Sequence, residues 1–199
     1  MPPLGEMTVP SPVAGDVDVA LQLASYPRDQ MLKGMFLSKL ARELGPDWRG
    51  IEKTLVSPPR LGVHVPFADY PLVDHAALAL AVAKKREPNV TTREAVRRLA
   101  RNDIRTFLES TIGRVTAAAV STPEEALLAH PEVYKLVATG PRYEAKKVGP
   151  KHVRLSLING YGLWEYQVGQ LEGIAGHYGA DTRIRCSLDG DVRCFDVGW

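Results

Sequence analysis

The sequence predicts an α/β protein of the α+β type, with a helical amino-terminal part packed on a four-stranded, mainly antiparallel sheet whose elements run ββαββ in the last third. Three observations carry this expectation. Val153, Leu155 and Leu157 alternate with Arg154 and Ser156, the period-two pattern of a half-buried strand. Trp164, Val168, Leu171, Ala175 and Tyr178 recur at helical spacing, and Gly179 follows as a left-handed stop. Asp189-Gly190 then joins two more alternating runs as a tight hairpin turn.

At 199 residues and 45% hydrophobic, the chain is long enough to bury a core without help from metal or disulfide. Residues 1–16, with Pro2, Pro3, Pro10, Pro12, Gly5 and Gly15, read as a flexible tail. Residues 17–199 form one domain, mainly helical over 17–140 and ββαββ over 141–199. A net charge of +2 does not announce a nucleic-acid binder. There is neither an apolar run long enough to span a membrane nor a signal-peptide pattern, so a cytoplasmic protein with reduced thiols is expected.

The first helix should start at Pro27 and stop at Gly45, with Leu32, Phe36, Leu40 and Leu44 in one row beside Met31 and Met35. Four prolines between 57 and 71 predict a loop or short extended piece. An alanine-rich helix follows from about Leu72 or Asp74 to Lys85, with His75 solvated in its first turn. Thr91-Thr92-Arg93-Glu94 has capping-box spacing and opens the longest helical pattern, which runs through Phe107 and Ile112 to Val115. Another short helix starts at Thr122-Pro123-Glu124-Glu125 and is expected to break at His130-Pro131.

In the last third, a first hairpin turns at Gly149-Pro150-Lys151. The helix over 162–178 carries Gly169, Gly173 and Gly176, each costing roughly 1 kcal/mol against alanine. Close approach of the helix backbone to the sheet would require them. With a two-residue loop at Asp189-Gly190, Ile184 opposes Phe195 and Thr182 opposes Val197. Ile184, Cys186 and Leu188 then share a face with Phe195, Val197 and Trp199, while Cys194 opposes Arg185 on the other. The two cysteines, the only ones in the chain, cannot bond in that register.

Chemical motifs are few. No phosphate loop, dinucleotide fingerprint, nucleophile elbow or zinc-protease helix is present. Two lone cysteines without paired histidines make no zinc site. His64, His75, His130, His152 and His177 are scattered singly, so no catalytic residue is assigned. Arg93, Arg97, Arg101 and Arg105 form a row at i+4 spacing inside a stretch, 84–105, with eight Lys/Arg against three Asp/Glu. The row is the candidate basic binding face, for a nucleotide, nucleic acid or acidic protein; the alternative is a solvated helix face partly balanced by Glu94 and Glu109.

Several segments taken in order resemble a family. Phe67-Ala68-Asp69-Tyr70-Pro71, Glu94 to Ala100, Ser110 to Arg114 and the closing hairpin ending in Trp199 are similar to a paralogous family of uncharacterised myxobacterial proteins, from about residue 20 onward. Leu155 to Trp199, especially Gly162-Leu163, Gly169 and Phe195 to Trp199, is also similar to the carboxy-terminal half of haem-based nitric-oxide and oxygen sensors and related small-molecule-binding signalling domains. Those sensors hold haem propionates with a Tyr-x-Ser-x-Arg triplet. Ser156, Ile158 and Gly160 stand at the matching positions, and His130, the residue in which a proximal ligand would be sought, precedes a proline. No cofactor is therefore expected.

The resulting expectation is a non-catalytic regulatory or signalling module that binds a small apolar ligand or a partner protein. Its site would be an apolar pocket of a few hundred cubic ångströms between sheet and helices. Binding through the arginine row is the second expectation and an enzyme of unrecognised type the third. A homodimer could form through an uncovered edge strand or the apolar helices.

Overall fold

Alternation in the last third builds the frame. In the computed structural model, which describes residues 4–10, 15–59 and 63–199, the amino-terminal half contributes β1 (Glu6–Thr8), α1 (Val19–Ala24), β2 (Met31–Lys33), α2 (Gly34–Leu44), α3 (Trp48–Glu52) and β3 (Asp69–Pro71). Then come α4 (Leu72–Arg86), α5 (Thr92–Glu109), α6 (Thr111–Ala118), α7 (Pro123–Val137) and β4 (Ala138–Thr139). The frame itself is β5 (Arg142–Gly149), β6 (His152–Ile158), α8 (Trp164–His177), β7 (Arg183–Asp189) and β8 (Val192–Gly198).

The main sheet has the order β1-β7-β8-β6-β5: five strands, not the expected four. The addition is β1, which pairs parallel to β7 with Met7 beside Ile184. Residues 4–10 and 15–16 are thus held where the composition suggested a flexible tail. The Gly5 N–H donates to Glu172 at 2.8 Å, and Asp16 accepts from the Thr92 N–H and hydroxyl at 2.9 and 2.8 Å. Residues 1–3 and 11–14 of the predicted tail, like 60–62 of the proline-rich loop, lie outside the described residues. A second, three-stranded sheet, β3-β2-β4, uses Met31–Lys33, the start of what the sequence suggested was one helix from Pro27. Gly45, at φ +57°, ends that helix as expected.

In the closing hairpin Ile184 pairs with Val197, Cys186 with Phe195 and Asp189 with Val192. The two-residue loop is therefore Gly190-Asp191, two register places from the expected one. An even slip preserves which face each side chain takes. Ile184, Cys186, Phe195 and Val197 all point inward, and Cys194 opposes Ser187 on the outer face. Both cysteines are free.

Two helix boundaries depart from the sequence pattern. Ser110 divides the longest one into α5 and α6, because its hydroxyl accepts from the Gly113 N–H at 3.0 Å and caps the second helix. Thr91 and Thr122 cap α5 and α7 in the same way. Helix α7 runs unbroken through His130-Pro131. Proline there forfeits one backbone hydrogen bond, but Leu127, His130 and Val137 stay buried along one stripe and hold the helix together.

The interior divides into two apolar clusters. One lies within the helical part, around Leu37, Leu40, Leu78, Val82 and Leu99; the other joins α8 and α7 to the sheet, around Val153, Leu155, Phe195, Val168, Leu171 and Leu127. Tyr134 packs against both. Helix α8 is buried on two sides, which its single apolar stripe did not disclose: Val168 and Leu171 serve the sheet cluster, while Gly169 and Gly173 serve α5. A Cβ on Gly169 would stand 2.2 Å from the Arg97 carbonyl oxygen, and one on Gly173 2.6 Å from that of Arg101. The glycines admit a helix rather than the sheet. Gly176 meets nothing within 4 Å.

Candidate functional site

The arginine row of α5 divides along its length. Arg93 and Arg97 face α8, where Arg93 donates to Glu165 at 3.0 Å and Arg97 donates to Glu172 at 2.7 and 3.1 Å and to the Gly5 carbonyl. Glu165 and Glu172 are themselves buried, so these pairs are charge-matched parts of the helix contact. Arg101 contributes its carbonyl beside Gly173 and has an interaction partner of its own. Arg105 is exposed and lies 3.6 Å from Glu109. At least two of the four candidate residues thus bind carboxylates within the protein instead of presenting a basic face.

Where α4, α5, α7 and α8 converge, the seam between the two clusters leaves a cavity of about 100 Å³. Its walls are Ala76 and Ala79 from α4, Ile104 and Phe107 from α5, Val133 and Tyr134 from α7, Tyr166 from α8, and Leu163 ahead of α8. Leu157 is the one residue of the main sheet that lines it. The space is smaller and more helix-walled than the pocket expected between sheet and helices. On the α4 side its wall includes two small side chains, Ala76 and Ala79, both buried.

Two histidines line this cavity. His75, expected to be solvated, is buried with its Nε2 at 3.3 Å from the Tyr166 hydroxyl, and desolvation lowers its pKa to about 4. His130, likewise buried and lowered to about 4 by desolvation, packs against Tyr134 and Tyr143, and its Nε2 has no hydrogen-bond partner among the described residues. His130 also lines a smaller cavity of about 40 Å³ together with Ile104, Phe107 and Ile174.

The tyrosine hydroxyls around the cavity are held protonated. Burial pushes the Tyr26 hydroxyl up to about 12 and those of Tyr134 and Tyr166 well above their ordinary value. Tyr26 lies against Gly162, where a Cβ would meet its hydroxyl at 2.0 Å; Gly162 also needs its φ of +86°. The carboxylate lining the cavity, Asp103, accepts from Lys39 at 2.9 Å. No lysine or arginine lines the cavity among the described residues. Arg193 stacks on Trp164 at 4.8 Å and donates to the Gly162 carbonyl at 2.8 Å. Elsewhere, an open groove crosses the outer face of the sheet, where Asp196 accepts two bonds from Arg154 at 2.8 and 2.9 Å.

Sequence reasoning missed His75 as a lining residue and weighed His130 only as a haem ligand. A signal was present for each. His75 shares a face with Ala79 four residues on, and Leu127, His130, Tyr134 and Val137 make a helical stripe that runs through Pro131.

This arrangement of a helical lobe on a ββαββ sheet is the H-NOX fold. Similar solved structures include an H-NOX protein from S. oneidensis in the Fe(II) ligation state (TM-score 0.66, 15% identity, 84% of this chain and 95% of that one). They also include an H-NOX protein from K. algicida, Fe(II) unliganded (TM-score 0.62, 14%, 84% and 96%), and one from T. tengcongensis (TM-score 0.59, 22%, 83% and 95%). The chain belongs to the family described as "Protein of unknown function (DUF2378)", which matches residues 26–199. No curated protein matches it. Among the described residues no group of three or more His, Cys, Asp or Glu is placed to hold a metal ion, and no helix is long and apolar enough to cross a membrane.

Proposed function

We propose that this chain is a non-catalytic regulatory module that takes up a small, uncharged, largely apolar ligand in the cavity between its two cores and reports occupancy to a partner protein. The single observation that carries this reading is the cavity itself. Its volume of about 100 Å³ is comparable to, though below, the roughly 150 Å³ dry cavity that admits benzene in an engineered protein. It also lies at the seam where α4, α5, α7 and α8 meet, so filling it changes the packing of two clusters at once.

A non-catalytic role is favoured by the protonation states. His75 and His130, lowered to about 4, are weak bases, and Cys186, pushed up to about 12 by burial, carries no thiolate at neutral pH. A cytoplasmic home suits two thiols that sit on opposite faces of one sheet and cannot cross-link.

H-NOX proteins of this fold have been solved in studies of haem redox potential and haem distortion, and the cavity can be tested for the same fit. The residues present do not fit it. A porphyrin is several times larger than benzene, and its two carboxylates need cations. Of the positions matching the propionate-binding triplet, Ser156 lies on the outer face beside Cys194, and a Cβ at Gly160 would meet Leu157 at 2.5 Å. We read the cavity as a site for something smaller than haem.

The test is thermal unfolding of the full chain with and without benzene. At a hundredfold excess over Kd, binding stabilises by about 2.7 kcal/mol, which for a chain of this length raises Tm by about 5–11 °C. Haemin added in equimolar amount gives no stoichiometric Soret band. A benzene response below 1 °C at saturation in water, or a stoichiometric Soret band, overturns the reading.

A further inference from the structure

We propose that the ligand is a small arenol, an uncharged aromatic ring bearing one hydroxyl, and that His130 Nε2 is the hydrogen-bond partner of that hydroxyl. This rests on the cavity being a ligand site. His130 is buried, lines the cavity, and has an Nε2 with no partner among the described residues. Buried polar atoms in native proteins are nearly always satisfied, by protein, water or ligand, and of the unpartnered buried nitrogens His130 Nε2 belongs to a residue that lines the cavity, where a guest's hydroxyl can take a water's place. The other histidine on the wall, His75, already has the Tyr166 hydroxyl at 3.3 Å.

The remaining chemistry narrows the class. Phe36, Phe107, Tyr134 and Tyr166 supply ring faces and edges suited to an aromatic guest. No lysine or arginine among the described residues lines the space, and Asp103 is occupied by Lys39, so a charged guest would lose its hydration uncompensated. His130 is neutral near pH 7 because burial lowers its pKa to about 4. A neutral imidazole nitrogen either donates or accepts according to tautomer, and a hydroxyl can answer either state.

Phenol and toluene separate the two readings, since they have nearly the same shape and differ in the hydroxyl. By transfer from water alone, toluene binds better. With His130 reading the hydroxyl, the full chain binds phenol a few-fold more tightly than toluene by calorimetry at pH 7, against the order that transfer gives, because phenol alone pairs the nitrogen. His130→Phe loses that preference. In the unmodified protein, the His130 imidazole ¹⁵N resonance shifts with phenol and stays in place with toluene, a readout that does not depend on the variant folding.

Equal or tighter toluene binding, with an unmoved His130 resonance, overturns the arenol assignment and leaves the cavity as a site. Failure of both compounds to bind overturns the assignment and the cavity reading together.

Discussion

Adding one methyl group at Gly169 tests the account of how α8 meets α5. The new Cβ would lie 2.2 Å from the Arg97 carbonyl oxygen and 3.0 Å from the Ala100 Cβ, against an ordinary contact of 3.4–4 Å. The oxygen belongs to helical backbone and cannot turn aside, so the two helices must part by about 1 Å over their shared length. Overpacking of this kind costs about 1–3 kcal/mol, and a backbone clash belongs at the upper end. Alanine returns about 1 kcal/mol in helix propensity, leaving Gly169→Ala about 2 kcal/mol less stable, a Tm lower by about 4–8 °C. At Gly176, where nothing lies within 4 Å, the same change keeps only the propensity term and raises Tm by about 2–4 °C. Calorimetric melting and urea unfolding of both variants decide it. If Gly169→Ala is as stable as the parent, the glycine notch does not explain the helix contact.

The arginine row provides a second contrast. Glu172→Ala leaves Arg97 buried without its carboxylate and should cost about 3–5 kcal/mol, while Arg105→Ala, on an exposed side chain, stays within about 0.5 kcal/mol by urea unfolding. Because Glu172 also holds the Gly5 N–H, Glu172→Ala should expose residues 4–10 to limited proteolysis while the parent resists. The buried histidines set a pH dependence. With folded pKa values near 4 against about 6.5 unfolded, the unfolded chain binds more protons between those limits. Stability is full above about pH 6.5 and falls as pH drops toward 4, by about 3 kcal/mol for each histidine. Asp74 and Asp103, raised by burial, offset part of this at the acid end. His64, also buried and lowered by desolvation, adds to the slope, so a pH series of urea midpoints should show it in the parent and a shallower one in His75→Phe; an unchanged slope in the variant contradicts the assignment.

Periodic segments were the legible ones. The alternation of Val153, Leu155 and Leu157, the helix stopped by Gly179, the threonine caps and the facing of the two cysteines all follow from local pattern, and the facing survived a two-place register slip because strand faces repeat every second residue. Long-range features were not legible. The three residues of β1 carry too little pattern to announce a strand, and their place depends on β7 far along the chain. Pro131 reads as a breaker locally, yet the buried stripe of α7 overrides it. The sequence left the arginine row as either a binding face or a solvated one, and the buried pairing was not legible because its partners, Glu165 and Glu172, lie some seventy residues away. Of the site, the sequence suggested a larger pocket between sheet and helices; a cavity is set by how four helices fail to close, and no single segment encodes that.

Xenon takes up dry apolar cavities without needing any particular polar partner, so a crystal of the full chain held under xenon pressure tests the central claim most directly. The account predicts one xenon atom at the seam of the two cores, bounded by Ala76, Tyr134 and Leu163. Density for xenon elsewhere only, with protein side chains closed over that space, would contradict it.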